Sequence, residues 1–145
     1  MNITRVLAGT LVGGIVMFFL GWLIFGVFLM DFMKTNMIQY SGLMKEPMPD
    51  MIPLVIANLA FAWLIAFVFD YWAGIRDFVS GLKGGAFIGF PIAVWIDLQF
   101  FAFMNLYKGI TPIIVDVLAA TALSAIVGGV IGFVMGKIGN KPDLE

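Results

Sequence analysis

Four long runs of apolar residues dominate the chain, and polar residues gather between them. The runs cover residues 3–33, 51–73, 78–107 and 112–138. Each is long enough for a helix to cross a hydrocarbon layer of about 30 Å, which takes about 20 residues. None shows the strict alternation of a membrane β-strand. We therefore predict four transmembrane helices, because a helix satisfies its own backbone in lipid.

The connections between the runs predict how the helices pair. Residues 74–77 and 108–111 are short, so the helices that they join must run antiparallel. We predict one all-α membrane domain over residues 1–145, built as two antiparallel helical hairpins. The second and fourth runs align at a shift of 59 residues, Pro53 over Pro112, and the first and third align at a shift of 72, Gly9 over Gly81. This similarity raises the hypothesis of a parallel internal repeat, with chance similarity as the alternative.

The longest connection, residues 34–50, is rich in methionine. With its flanks it places methionines at spacings of three and four, while Lys34, Asn36, Gln39 and Lys45 fall between them. This pattern predicts an amphipathic helix lying on the membrane surface between the first and second membrane helices. A thioether site for Cu(I) is the sharper alternative, but the chain has no Cys or His to complete it.

Composition narrows the classes of function. The chain is 62% hydrophobic and 12% charged, whereas soluble domains are about 45–50% apolar and about 25% charged. The absence of Cys and His excludes disulfides, thiol redox chemistry and the usual zinc sites. The scattered basic residues form no surface for nucleic acid. We predict that the partner of this chain is the lipid bilayer itself. We also predict that the chain binds no metal and no cofactor and has no enzymatic activity.

Small residues recur at every fourth position in three of the predicted helices. They are Gly9 and Gly13 in the first, Gly81, Gly85 and Gly89 in the third, and Ala120, Ser124, Gly128, Gly132 and Gly136 in the fourth. Four-residue spacing keeps them on one face of each helix, where they allow two backbones to approach closely. We predict helix packing through these faces, either within the chain or across a homodimer, and we predict that the protein assembles as a homodimer through them.

The functional hypothesis depends on Asp97 and its surroundings. In a helix that extends to Tyr107, Asp97 lies ten residues from the end, about 15 Å and close to the bilayer midplane. A carboxyl there costs about 2.5–3.5 kcal/mol on insertion scales, so it should be protonated, hydrogen-bonded or in contact with water. Pro91 removes a helix hydrogen bond and predicts a kink. Asn58 and Asp116 enter the membrane from the same side and are the predicted partners.

Two functions fit this pattern. The first is a transporter or permeation protein for protons or a small solute, centred on Asp97, with Asn58, Asp116 and Pro91 as further candidate site residues. The alternative is a non-catalytic packing or assembly subunit, in which Asp97 forms an interhelical hydrogen bond. Neither hypothesis identifies a substrate.

Other polar and aromatic residues have structural interpretations. Asp70 and Lys83 lie on either side of a short turn and are predicted to form an ion pair, with a snorkelling Lys83 that has a local partner as the alternative. Asp116 is predicted in the first turn of its helix, where it complements the helix dipole. Trp63 and Trp95 are predicted to pack inside the bundle.

Basic residues predict the orientation. Four crossings put Arg5, Arg76, Lys83, Lys137 and Lys141 on one side and Lys34, Lys45 and Lys108 on the other. The excess of basic residues favours both termini in the cytoplasm.

The segment GWLIFG at residues 21–26 resembles the Gly-Trp-aromatic segment of a family of small bacterial four-helix membrane proteins of unknown function. That family has a polar, aromatic-rich end to this helix, whereas this chain has FLMD at residues 28–31. The resemblance implies a multi-pass protein of the bacterial inner membrane and supplies no activity.

Overall fold

The computed structural model describes residues 1–138, which form five α-helices and no strand. The helices are α1 (Ile3–Leu23), α2 (Met30–Asn36), α3 (Met51–Val68), α4 (Phe78–Phe103) and α5 (Thr111–Lys137). A π-helical turn continues α1 over Ile24–Phe28, and another continues α3 over Phe69–Ala73. The prediction of an all-α chain is confirmed. With these turns, α1, α3, α4 and α5 are long and apolar enough to cross a membrane.

Polar and conformationally special residues mark the helix ends. The Asp77 side chain caps α4 by accepting a hydrogen bond from the Ser80 N–H at 2.9 Å. This bond holds the pKa of Asp77 below its ordinary value of 3.8. Pro112 stands in the first turn of α5, where its missing N–H costs nothing. Gly74, with φ of 62°, ends the π-helical turn after α3 in a left-handed conformation.

The central helix is α5. It contacts α1, α3 and α4, whereas α3 and α4 barely touch each other. Half of the residues in an apolar 18-residue stretch of α5 are buried, compared with 11–22% in the corresponding stretches of the other three long helices. The main core between α1, α3 and α5 consists of Val6, Ala62, Ile65, Ala66, Phe69, Leu123, Val127, Ile131 and Met135. A smaller cluster of Ala93, Ile113 and Val117 lies between α4 and α5.

Glycines bring α4 and α5 into backbone contact. A Cβ on Gly128 would lie 2.7 Å from the Cα of Gly85, and a Cβ on Gly85 would collide with the backbone oxygen of Ser124. Gly81 faces Gly128 and Gly89 faces Ser124, so the contacts run in opposite directions along the two helices. Both small-residue faces are therefore occupied by contacts within the chain.

The contact between α1 and α3 has a different register. A Cβ on Gly13 would lie 3.2 Å from the Cβ of Ala62. The shift of 59 residues maps Ala62 onto Thr121, yet Gly85, the counterpart of Gly13, faces Ser124. The contact of Gly13 with Ala62, which is looser than its contact with Ile131 of α5, lies about one helical turn from the position that the repeat predicts, and the internal repeat stays a hypothesis from the sequence.

The surface helix that was predicted over residues 34–50 is wrong for most of this connection. Helix α2 ends at Asn36, and residues 37–50 have no helical structure. The Ile38 N–H donates to the Leu106 carbonyl at 2.8 Å, and the Lys108 N–H donates to the Asn36 carbonyl at 2.9 Å. We call this contact of residues 36–40 with 105–108 the loop pairing. Its hydrogen bonds and Pro47 prevent a helix that the methionine spacing alone predicted.

The predicted partner of Asp70 is wrong. Its side chain is 2% exposed and accepts hydrogen bonds from Arg76 Nη2 at 2.8 Å, Arg5 Nη1 at 3.2 Å and the Asn2 N–H at 2.8 Å. Lys83 is exposed on α4 instead. Arg5 and Asn2 start α1 and Arg76 follows α3, so the cluster joins the two helices. Burial, with the positive charge of Arg5, lowers the pKa of Arg76.

The prediction that two tryptophans pack inside the bundle is also wrong. Trp63 is 48% exposed and Trp95 is 64% exposed. Trp63 stacks on Phe67 at 5.3 Å between ring centroids, and Phe67 stacks on Tyr71 at 5.4 Å. Helix contacts built from small residues leave no room for indole rings, which therefore lie on the outer surface.

Candidate functional site

Asp97 lies closer to the end of its helix than predicted, because α4 ends four residues before Tyr107. The helix stops at Phe103, so Asp97 lies six residues, about 9 Å, from its end. Met104 is extended, with φ of −135° and ψ of 142°, and leads into the loop pairing that includes Tyr107. Asp97 therefore lies nearer one end of α4 than its middle.

Two carboxyls and a tyrosine meet between α4 and α5. Asp97 is 5% exposed, and its Oδ1 accepts a long hydrogen bond of 3.4 Å from the hydroxyl of Tyr107. The carboxyl of Asp116 lies within hydrogen-bonding reach of Asp97. We call Asp97 and Asp116 the acid pair. A hydrogen bond between two carboxyls needs a proton on one of them, because an ionised carboxylate only accepts.

One oxygen of the acid pair lacks a donor outside the pair. Asp97 Oδ2 is buried, and no N–H or hydroxyl group of the described range 1–138 donates a hydrogen bond to it. An unpaired buried acceptor costs free energy, and such groups recur where a protein binds something or stores strain.

The backbone of three different elements positions these groups. Asp97 follows the buried Ala93 by one helical turn on α4. Asp116 is the sixth residue of α5, so the predicted place in the first turn is wrong and the helix dipole does not account for it. Tyr107 is held by a backbone bridge to Met37 in the loop pairing. The acid pair is thus covered by the connection between α4 and α5.

Tyr107 has a shifted titration. Burial, together with the charges of Asp97 and Asp116, raises the pKa of Tyr107 to about 12. Its hydroxyl therefore stays protonated at neutral pH and remains a hydrogen-bond donor to Asp97. Sequence reasoning missed this residue because the apolar run continues to Tyr107 and predicts it as the last residue of the helix.

Two other candidate residues lie apart from the acid pair. The side chain of Asn58 donates to the Leu54 carbonyl of its own helix at 2.7 Å, and Asn58 lines a cavity between α1 and α3. Pro91 stands inside α4, which stays helical through it, on an exposed part of the helix. The structure therefore brings Asp97 and Asp116 together with Tyr107, and leaves Asn58 and Pro91 elsewhere.

Metal binding finds no support in the acidic residues. Within residues 1–138, no three His, Cys, Asp or Glu side chains cluster closely enough to hold a metal ion. The chemistry that the acid pair offers is the uptake and release of a proton.

No known protein family, curated protein or solved structure matches this chain.

Proposed function

We propose that this chain is an integral membrane protein that moves protons, or a small solute together with protons, by way of the acid pair. One observation carries the proposal: two adjoining carboxyls lie between helices of membrane-spanning length, and the buried Asp97 has an oxygen with no donor outside the pair. Ionisable groups inside such helices are costly, and they characteristically mark proton and ion pathways.

The acid pair has the chemistry of a proton-binding site. One proton joins the two carboxyls, and its loss would leave two adjacent negative charges that repel each other. Tyr107 steadies the pair from the connection between α4 and α5. Movement of that connection would let water reach the carboxyls, which is the event that proton exchange requires.

The membrane arrangement is part of the proposal. We infer that α1 with α3 and α4 with α5 cross the bacterial inner membrane as two antiparallel hairpins. Both termini would lie in the cytoplasm, since Arg5, Arg76 and Lys137 belong to the end of the bundle where α1 begins and α5 ends. The bulky apolar side chains that remain exposed on all four long helices support a surface solvated by lipid.

We further propose a homodimer, with a surface other than the small-residue faces. Those faces are occupied by contacts between α4 and α5. The outer face of α4 stays free, with Phe87 82% exposed and Gln99 exposed in the same helix. An amide in lipid gains from an interhelical hydrogen bond, and Gln99 of a second copy would offer both a donor and an acceptor.

Asp97→Asn in proteoliposomes tests the transport proposal. The amide can still donate to Asp116, so the contact between α4 and α5 is kept, but it cannot carry an exchangeable acidic proton. We expect proton flux, measured with an internal pH-sensitive dye under an imposed pH gradient, to fall to the level of protein-free vesicles. Asp31→Asn, the same change on the exposed surface of α2, should leave the flux unchanged. Flux that persists in the Asp97 variant rejects the proposal.

The alternative is a packing or assembly subunit in which the acid pair is interhelical glue. The observation that favours it is that Asp97, Asp116 and Tyr107 tie α4, α5 and their connection together. On this alternative the wild-type chain carries no flux above protein-free vesicles. Asp97→Leu, which cannot hydrogen-bond, would then lower folding yield while Asp97→Asn would not.

A further inference from the structure

A large cavity lies between α1 and α3, apart from the acid pair. Its volume is about 870 Å³. Its walls and floor include Phe18 of α1, Phe25 of the π-helical turn that continues α1, Leu54 of α3, Met48 of the long connection and Leu123 of α5. Trp22 and Met48, which are 62% and 63% exposed, mark its open side.

The cavity exists because α1 and α3 touch only over part of their length. In the part where α1 begins, the two helices are in contact. Gly14 packs against Leu59, and Arg5 forms an ion pair with Asp70. Gly21, the next glycine of α1, makes no such contact with α3. A Cβ on Gly21 would meet a single atom, Leu123 Cδ2, at 3.7 Å. The space beside Gly21 is therefore open.

The lining decides what the cavity can hold. Asn58 and the indole of Trp22 supply the only polar side-chain groups among its lining residues. The Asn58 amide already donates to the Leu54 carbonyl at 2.7 Å. Ordered water needs two to four polar partners, so water suits the cavity poorly. A void of this size forfeits the dispersion contacts of its lining. A hydrocarbon chain needs no polar partner, and in the cavity it restores the dispersion contacts of the lining.

We propose that the cavity binds one acyl chain of a membrane phospholipid, with the end of the chain against Leu123 and the headgroup outside the mouth near Met48. The volume falls in the range of about 300–1,000 Å³ that is usual for ligand sites. This inference rests on the membrane insertion proposed above and is independent of proton movement at the acid pair.

Photolabelling of the full chain in phosphatidylcholine vesicles tests the site. The probe is a phosphatidylcholine with a diazirine on its acyl chain, and labelled residues are mapped by mass spectrometry. Leu123 is 5% exposed, so a chain outside the cavity cannot reach it. Leu118 on the same helix is 63% exposed and reports the surrounding lipid. We expect label on both residues in the wild-type chain.

Filling the cavity should remove one label and keep the other. In Gly21→Leu the new side chain occupies the space, so label on Leu123 should fall at least about five-fold while label on Leu118 stays constant. Leu54→Trp fills the same space from α3 and should act alike. Ala60→Leu adds similar bulk on the exposed surface of α3 and should change neither label.

Several outcomes would overturn the inference. Label on Leu118 but not on Leu123 in the wild-type chain means that the protein is inserted and no acyl chain enters the cavity. Leu123 label that survives both filling variants means that it arrives by another route. Label on Leu123 from a free fatty-acid probe alone rejects phospholipid as the occupant. Absence of label from both residues rejects membrane insertion, and the inference with it.

Discussion

Gly85→Ala is expected to force α4 away from α5. The new Cβ would collide with the backbone oxygen of Ser124 and lie 3.0 Å from the Cα of Gly128. Both atoms belong to the backbone, so no side-chain rotation relieves the contact and one helix must shift. Overpacking of this kind costs about 1–3 kcal/mol, and the better helix propensity of alanine returns about 0.5–1 kcal/mol. We expect a net loss of up to about 2.5 kcal/mol in the free energy of unfolding.

Reversible unfolding by dodecyl sulfate in mixed micelles, followed by tryptophan fluorescence, measures this loss. Gly21→Ala is the matched control, because it is also a glycine inside a long helix and its Cβ would meet only Leu123, at an ordinary 3.7 Å. The control should be as stable as the wild-type chain or slightly more so. If Gly85→Ala is as stable as Gly21→Ala, the close approach of α4 and α5 is not what holds this contact together.

Asp70→Asn should lower the free energy of unfolding by about 1–3 kcal/mol, because Arg5 and Arg76 lose the anion that they share. Asp50→Asn removes an exposed ion pair and should change it by less than about 0.5 kcal/mol; equal losses in the same unfolding assay would contradict the role of the Asp70 cluster. Tyr107 should titrate at about 12 instead of 10.0, seen as a phenolate absorbance step that disappears in Tyr107→Phe. Since the folded-state pKa lies above the unfolded one, its contribution to stability is complete below pH 10.0 and is lost as the pH rises towards 12; a Tyr107 step at 10.0 would show that the residue is not buried beside the carboxyls.

Helix boundaries show where sequence reasoning succeeds. The second run was predicted over residues 51–73, and α3 with its π-helical turn covers Met51–Ala73. The fourth was predicted over 112–138, and α5 covers Thr111–Lys137. Hydropathy is reliable at these ends because polar or turn-forming residues follow directly. It failed after Phe103, where apolar residues continue but their backbone pairs with residues 36–40.

The candidate site shows the limit of the same reasoning. A lone carboxylate in an apolar run was enough to single out Asp97, since a charge there always needs an explanation. Asn58 and Asp116 both enter from the same side, so the sequence favoured neither as its partner. The choice of Asp116 depends on which helix packs beside α4, and periodicity along one helix carries no information about its neighbour.

The sequence by itself determined the helical class, the lengths of the long helices and the presence of small-residue faces. These are local properties: an apolar backbone must satisfy its own hydrogen bonds, and four-residue spacing defines a face whatever lies opposite. Only the tertiary structure decided that α5 is central, that Asp70 pairs with Arg5 and Arg76, and that Asp97 meets Asp116 and Tyr107. Those contacts depend on helix rotation and register between distant segments, which the close approach of glycine backbones sets in three dimensions.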